Sequence, residues 1–319
     1  CGSIGSKLVE RFLELGSVVC AFDQDEDGLF KLDQMYNPEH EDKLRLFMGN
    51  IRDRARLIRA FEGVDIVFHC AAQKHVFLSE YNPFEVIKTN VLGVNNIISC
   101  ALEAKVKKVI FTSSDKAVNP SSTMGVSKLL GEKLISGATY YSSNKTIFAS
   151  VRFGNVLNTN GSVLKVFQNQ FKNNKPITIT SKDMSRYFIT MSQAIDLCIY
   201  CQNNMIGGEI FISKMESFNI IDLAKVLSKG KKFDIEIIGI KAGEKTYEEL
   251  VTEEESTRTV LFDGHYIIIP NTIKMMPKKV QTQYKNYIGL KKLNTMMRSD
   301  QKLMSQDQIY NLLNKNKII

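Results

Sequence analysis

Between the first glycine pair and about residue 150, short apolar runs alternate with segments of helical length, and this rhythm limits the chain more than any other feature. SKLVERFLELG carries Leu8, Phe12 and Leu15 at helical spacing and stops at Gly16. SVVCAFD reads as a buried strand ending at Asp23. A helix from about Gly28 to Met35, the strand RLFMG, a helix over RARLIRAFEG and the strand VDIVFHCAA follow. A helix around PFEVIKTNVLGVNNIISCALEA then leads into the strand KKVIFTSS. Strands separated by helices at these distances are βαβ units. The spacing predicts an α/β fold, a doubly wound parallel sheet over residues 1–150, with ligands at the carboxyl ends of its strands. From about residue 151 the rhythm loosens. PITIT and EIFIS are interspersed with helices, which predicts a smaller C-terminal α/β lobe over 151–319.

Composition excludes several classes. With 44% hydrophobic and 24% charged residues the chain has ordinary globular values, and no apolar run approaches the roughly 20 residues of a spanning helix. The net charge is +8, but from Ile273 onward there are ten Lys/Arg against two Asp/Glu, so the tail supplies the excess. Without a nucleic-acid motif, such a tail reads as a solvated face. The six cysteines make no disulfide framework, and the lone C-x-x-C of Cys198 and Cys201 sits in the helix-like run SQAIDLCIYC, so it reads as core. Reduced thiols point to the cytoplasm. His40, His69, His75 and His265 lack ligand spacing, so no metal is expected. The chain opens on Cys1-Gly2-Ser3-Ile4-Gly5 as though within a glycine motif, so an upstream segment, a membrane anchor included, lies outside this reading.

That glycine pair opens a helix, whose N-terminus suits a pyrophosphate. Asp23 stands 18 residues after Gly5, close to the spacing of a carboxylate that binds a ribose 2′-hydroxyl. A 2′-phosphate would meet its charge, and no arginine follows in Gln24-Asp25-Glu26, so NAD is preferred over NADP. The sharpest chemistry follows KKVIF. Thr112, Ser113, Ser114, Asp115 and Lys116 leave one strand end together, and Lys128 lies one helical turn after Met124, on the same face.

These residues resemble the active-site region of the extended short-chain dehydrogenase/reductases, with Met124-x-x-x-Lys128 where that superfamily has Tyr-x-x-x-Lys. More narrowly, TSSDKAVNPSSTMGVSK is similar to the signature of UDP-N-acetylglucosamine 4,6-dehydratases of bacterial acetamido-sugar pathways. HCAAQKHVFLSEYNPFEVIKTNVLGVNN, SVRFGNVLNTNGSVLKVF, KPITITSKDMSRYFIT, GGEIFISK, KAGEKTYEELV and LFDGHYIIIP resemble further blocks of that family, in order, through about residue 270.

The resemblance implies a Rossmann-like NAD-binding domain over 1–150, with Gly2, Ser3, Ile4, Gly5, Asp23, Asn50, Ile51, Ala71, Ala72 and Lys128 at the cofactor. It implies that residues 151–319 form mainly the nucleotide-sugar lobe, with basic helices at the end. Asp115 would be the acid and Lys116 the base of an elimination. Ser113 and Ser114 would hydrogen-bond near the hydroxyl on carbon 4, and Lys128 would bind the nicotinamide ribose and supply positive charge. For a UDP-sugar, Asn155 would lie beside the sugar nucleotide, Arg186 would offer its planar fork to the diphosphate and Glu244 would accept from the uridine ribose. Lys74 and His75 match a Lys-His segment near the active site, with roles left open. The plain alternatives are a turn amide at 155, a solvated arginine at 186 and a helix-start carboxylate at 244.

Two departures stand out. A thioether exchanges no proton, so Met124 is not the usual tyrosine base, and the acceptor of the carbon-4 hydroxyl proton is Asp115 or a water held by Ser114. Asn50 replaces the family's usual aspartate near adenine, though an amide still hydrogen-bonds. Lys128 and a desolvated cleft would lower the pKa of Lys116, while a nearby carboxylate would oppose them. RSDQKLMSQDQIYNLL resembles the closing segment of shorter, soluble members, and a homo-oligomer is implied. A nucleotide-sugar epimerase and a catalytically silent NAD-binding module remain the alternatives.

Overall fold

The computed structural model describes residues 1–141, 146–159, 161–228, 230 and 232–319. Helix α1 (Ser3–Glu14) ends where Gly16 adopts φ +79°, and the Ser17 N–H closes on the Phe12 carbonyl, the wrap-around a left-handed glycine permits. Strand β1 (Val19–Asp23), helix α2 (Glu26–His40), strand β2 (Leu44–Met48), helix α3 (Arg54–Ala60) and strand β3 (Ile66–His69) follow. α2 is longer than its apolar spacing indicates, because the Asp25 side chain caps its first turn by accepting from the Gly28 N–H at 3.1 Å.

Helix α4 (Val76–Tyr81) was not legible in the sequence. α5 (Pro83–Ile87), a π turn (Lys88–Leu92) and α6 (Gly93–Glu103) form one continuous run where a single helix is expected. The π turn buries Asn90. Its amide accepts from Gln73 N–H at 2.8 Å, donates to Gln73 O at 2.9 Å and reaches Ser127 Oγ at 2.9 Å, pinning the segment after β3 to the next long helix. Strand β4 (Lys108–Ser114) runs into a 3₁₀ turn (Asp115–Ala117), helix α7 (Thr123–Tyr141) and strand β5 (Ile147–Phe153).

The remainder comprises β6 (Asn155–Val156), α8 (Val163–Lys172), β7 (Ile177–Ile179), β8 (Ser185–Ile189), α9 (Met191–Asn204), β9 (Ile210–Ser213), β10 (Glu216–Asn219) and α10 (Ile220–Ser228). After them come β11 (Ile235–Ile237), β12 (Glu249–Val251), α11 (Glu253–Ser256), β13 (Thr259–Phe262), β14 (His265–Ile268), α12 (Lys278–Gln283), α13 (Lys285–Ile288), β15 (Met297–Arg298) and α14 (Gln306–Lys315).

The main sheet has the order β13-β14-β9-β5-β4-β3. β3, β4, β5 and β9 are parallel, and β14 and β13 add antiparallel edges. β1 and β2 form a separate parallel pair. Along β4 the side chains alternate: Ile110 packs into the cluster shared with α9, while Val109 and Phe111 pack with α3 and α6. Both faces are covered, which is the doubly wound arrangement expected. α1 joins the two sheets, with Val9 and Leu13 against the β1–β2 pair and Phe12 against Phe68, ring centroids 5.1 Å apart. Cys198 and Cys201 are fully buried in α9, as core residues.

Chain beyond residue 150 returns to this sheet through β9, β14 and β13. The smaller lobe has its own core, in which Leu164 and Phe167 of α8, Ile177 of β7, Phe218 of β10, Leu223 of α10 and Ile309 of α14 close together, with Phe188 and Phe218 stacked at 3.7 Å. Arg152 of β5, fully buried, ties the halves: its guanidinium donates to Glu132 of α7 at 2.7 and 3.0 Å and to Glu255 of α11 at 2.9 and 3.0 Å. A charge so deep is retained only when its partners satisfy it this fully.

Candidate active site

The carboxyl end of β4 and the 3₁₀ turn after it deliver the chemistry-bearing residues. Ser114 ends the strand and caps the turn by accepting from the Lys116 N–H. Asp115 is fully buried. Its Oδ1 accepts from Ser114 Oγ at 2.8 Å and from Lys116 Nζ at 3.1 Å, while Oδ2 has no hydrogen-bond partner. Ser113 Oγ, also buried, has none. Polar atoms kept dry and unpaired are costly, so such positions are where a ligand's polar groups fit. Gly125 of α7 lets the helix press on this turn, because a Cβ there would collide with the Lys116 carbonyl oxygen.

Lys116 reaches across to the smaller lobe. Its Nζ donates to Asn155 Oδ1 at 3.3 Å and stands 3.4 Å from Glu248 Oε1. Burial lowers its pKa, but the charges of Asp115 and Glu248 raise it, Arg186 opposes them, and the net result is upward. The cation bearing on Lys116 is thus Arg186, not Lys128 as the sequence suggested. Lys128 occupies a different niche: Nζ donates to Thr112 O at 2.9 Å and lies 4.7 Å over the Phe111 ring, and burial pushes its pKa down to about 8. Beside it His69, buried with Nε2 unpartnered, is pushed down to about 3 by burial and then by Lys128. Met124 is buried on α7 one turn before Lys128, as the spacing requires.

A cavity of about 250 Å³ opens at Lys116; Ser113, Ser114, Asp115, Met124 and Lys128 are not in its wall. Lys116, Asn155, Arg186 and Glu248 line its polar end, and Phe167, Ile179 and Met184 its apolar end. Asn155 and Glu244 both line the cavity, with Glu244 Oε2 also accepting from the Lys241 N–H at 3.2 Å. Arg186 is buried, not solvated. Its guanidinium donates to the Ser185 and Lys245 carbonyls, both at 2.8 Å, and its Nε is 3.7 Å from Glu248. The segment carrying Glu244 is docked on the β4 side: Lys245 Nζ donates to Val118 O at 2.9 Å and Ser121 Oγ to Gly243 O at 2.9 Å. His75 is the N-cap residue of α4, its ring near Gly161, and Lys74 is exposed, with its pKa lowered by partial desolvation and by Lys165. Val76 of the cavity wall is their neighbour in the chain.

The other candidates gather around the start of α1. Gly2 is its N-cap residue with no side-chain cap, Ser3 and Ile4 form its first turn, and a Cβ at Gly2 or Gly5 would meet no protein atom within 4 Å. Packing does not demand these glycines. The backbone N–H groups of this helix end have no side-chain cap. Asp23 ends β1 and accepts from the Cys1 ammonium at 2.6 Å. Asn50, just past β2, donates to Gln24 Oε1 at 2.7 Å and accepts from the Arg52 N–H. Ile51 is buried against Gly93, whereas Ala71 is exposed and Ala72 half-exposed after β3. Among the described residues no cluster of His, Cys, Asp and Glu could hold a metal.

Sequence reasoning missed Glu248. KTYEEL offered two adjacent glutamates and no signal separating them; the fold sends Glu248 to Lys116 and Glu249 to Asn119, whose Nδ2 donates to it at 2.9 Å.

Fold and site define a doubly wound α/β scaffold with a cluster of charged and hydroxyl side chains at a parallel-strand end. The chain belongs to the polysaccharide biosynthesis protein family, whose model matches residues 1–270. It is 44% identical over 280 residues to an uncharacterized membrane protein of Methanocaldococcus jannaschii, covering 84% of this chain and 83% of that one. It is 38% identical over 275 residues to a UDP-glucose 4-epimerase of Rickettsia felis, covering 84% and 80%. The X-ray structure of Pen from Bacillus thuringiensis superposes with a TM-score of 0.91 at 37% identity, over 100% of this chain and 95% of that one. DesIV, a dTDP-glucose 4,6-dehydratase of Streptomyces venezuelae solved with NAD and TYD bound, shares the fold with a TM-score of 0.69 at 19% identity, over 77% and 84%.

Proposed function

We propose that this protein is an NAD-dependent 4,6-dehydratase of a UDP-N-acetylhexosamine, with UDP-N-acetylglucosamine as its substrate, serving polysaccharide or glycan synthesis. The observation that carries the reading is Lys116 in the polar wall of the cavity, paired at 3.1 Å with Asp115, which lies buried just behind that wall with Oδ2 unpartnered. Loss of water across carbons 5 and 6 needs an acid and a base within reach of one hexose. Gly2, Ser3, Ile4 and Gly5 hold the cofactor's diphosphate, Asp23 a ribose, Asn50 and Ile51 the adenine side, and Ala71, Ala72 and Lys128 the nicotinamide side. NAD, when bound, supplies a reversible hydride acceptor that oxidises carbon 4 and later reduces carbon 6.

Lys116, once neutral, takes the proton from carbon 5, acidified by the ketone at carbon 4. Asp115, having taken the proton of the carbon-4 hydroxyl as that carbon is oxidised, gives it to the hydroxyl on carbon 6, which leaves as water, and the Lys116 ammonium returns its proton to carbon 5 as carbon 6 is reduced. Ser113 Oγ and Ser114 Oγ steer the carbon-4 oxygen. Asn155, Arg186 and Glu244 hold the UDP moiety, with Lys74 and His75 at the entrance. Because the resting Lys116 is an ammonium between carboxylates, turnover by this route rises with pH.

No described helix is long and apolar enough to cross a membrane. A cytoplasmic homo-oligomer belongs to the same reading, supported by the exposed Phe77, Leu78, Tyr81 and Phe84 along α4 and α5. The name of the Rickettsia relative favours a second reading, a 4-epimerase, which uses the same oxidation at carbon 4 but needs no acid at the carbon-6 oxygen. Incubation with UDP-N-acetylglucosamine, followed by mass spectrometry and NMR, separates them. Loss of one water supports the dehydratase, an isomer of unchanged mass the epimerase, and binding without conversion a silent module.

A further inference from the structure

Glu248, a carboxylate in the cavity's polar wall, has no task in either the sequence pattern or the reaction above. It is almost fully buried, with Oε1 3.4 Å from Lys116 Nζ and 3.7 Å from Arg186 Nε, and Oε2 3.7 Å from Lys245 Nζ without a hydrogen-bond partner. Its backbone is gripped from behind by Ser299, a fully buried residue of the C-terminal segment beyond the family match. The Glu248 N–H donates to Ser299 Oγ at 2.9 Å and the Ser299 N–H to Glu248 O at 2.9 Å, while the two hydroxyls of Ser185 and Ser299 pair at 2.8 Å, immediately before Arg186.

We propose that Glu248 is a positioning residue of the reaction: anchored by Ser299, it clamps the Lys116 ammonium against Asp115 and governs its release as a base. The inference rests on the reading of Lys116 as the base. Lys116 faces Asp115 from its own turn, Asn155 from β6, Arg186 from β8, and Glu248 with Lys245 behind it from the segment before β12. Two carboxylates against Arg186 keep the amine charged, consistent with its raised pKa. Of the three cations around Glu248, Lys116 is the nearest, at 3.4 Å against 3.7 Å for Arg186 and for Lys245.

The test is the pH profile of UDP-N-acetylglucosamine dehydration from neutral to alkaline pH, with unfolding temperature as a check on the fold. Glu248→Gln removes the charge but not the shape, and moves the ascending limb of kcat to lower pH by about one to three units, the usual effect of one charge at this range. Glu248→Asp, which carries the test if the glutamine variant does not fold, draws the charge back and moves the limb the same way by less. Ser299→Ala keeps the charge, so it lowers kcat and leaves the limb in place. If Lys116→Ala abolishes turnover while neither Glu248 variant moves the limb, the clamp is wrong and the base assignment survives. If Lys116→Ala retains the parent profile, the base assignment fails and the clamp falls with it.

Discussion

A buried lysine and a half-buried one lie near β4's carboxyl end, and their surroundings drive them in opposite directions. Lys128 sits over the Phe111 ring with a single carbonyl acceptor, and burial prevails, lowering its pKa to about 8. Lys116 is half-buried in the cavity wall, and there Asp115 and Glu248 outweigh desolvation and raise its pKa. The difference shows that depth alone does not make a lysine a base; the number of carboxylates within about 4–6 Å decides the sign. One niche stores a reluctant charge, and the other holds a charge firmly.

The hardest blow to this contrast is Lys116→Ala. Loss of a positioned acid–base group lowers kcat by about 10²- to 10⁴-fold, with the fold retained, as steady-state dehydration of UDP-N-acetylglucosamine would register. Activity near the parent's would remove Lys116 from the chemistry.

Lys128→Met sharpens the other side. A lysine held at about 8 against an ordinary 10.5 carries a penalty of about 3 kcal/mol in its charged form, so at neutral pH the variant gains up to that much stability, less roughly 1 kcal/mol for the lost bond to Thr112. Urea denaturation measures it, and the same variant binds NAD more weakly by calorimetry. A destabilised variant would mean that the charge is not penalised.

The pH dependence follows with its sign. Between pH 8 and 10.5 the unfolded chain holds a proton on Lys128 that the folded chain has released, so this lysine makes stability rise with pH in that window. Lys116, raised, stabilises the fold below its ordinary pKa and loses that contribution as pH climbs through the higher folded value. Denaturation curves at pH 7 and 9.5 should differ for the parent by an increment that Lys128→Met lacks; an equal increment in both refutes the assignment. The smallest effect is that of Asn155→Ala, which removes one neutral acceptor from Lys116 at a cost of about 1 kcal/mol, roughly fivefold in kcat/KM. A loss of hundreds-fold would give Asn155 a direct part in the reaction.

Much of this site was legible because its core is contiguous. Ser113 through Lys116 leave one strand together, and Met124 and Lys128 are fixed by helical spacing, so the pattern locates all of them. The π turn at Lys88–Leu92 and helix α4 were not legible, since both depend on what Asn90 and Glu80 find elsewhere, on Gln73 and on the Thr123 N–H. That Arg186 is held by protein carbonyls, and is not the solvated arginine of the plain alternative, was not legible because its acceptors, the carbonyls of Lys245 and Thr246, lie about 60 residues away.

By itself the sequence determined the alternation of strands and helices, the doubly wound sheet and the strand end on which an acid and an amine emerge, because periodicity and neighbouring positions are local properties. Only the tertiary structure decided which lysine keeps its proton. That depends on Glu248, 132 positions from Lys116, and on Ser299 behind it. Coulomb interactions act through space, and no spacing along the chain reports which charges the fold will bring face to face.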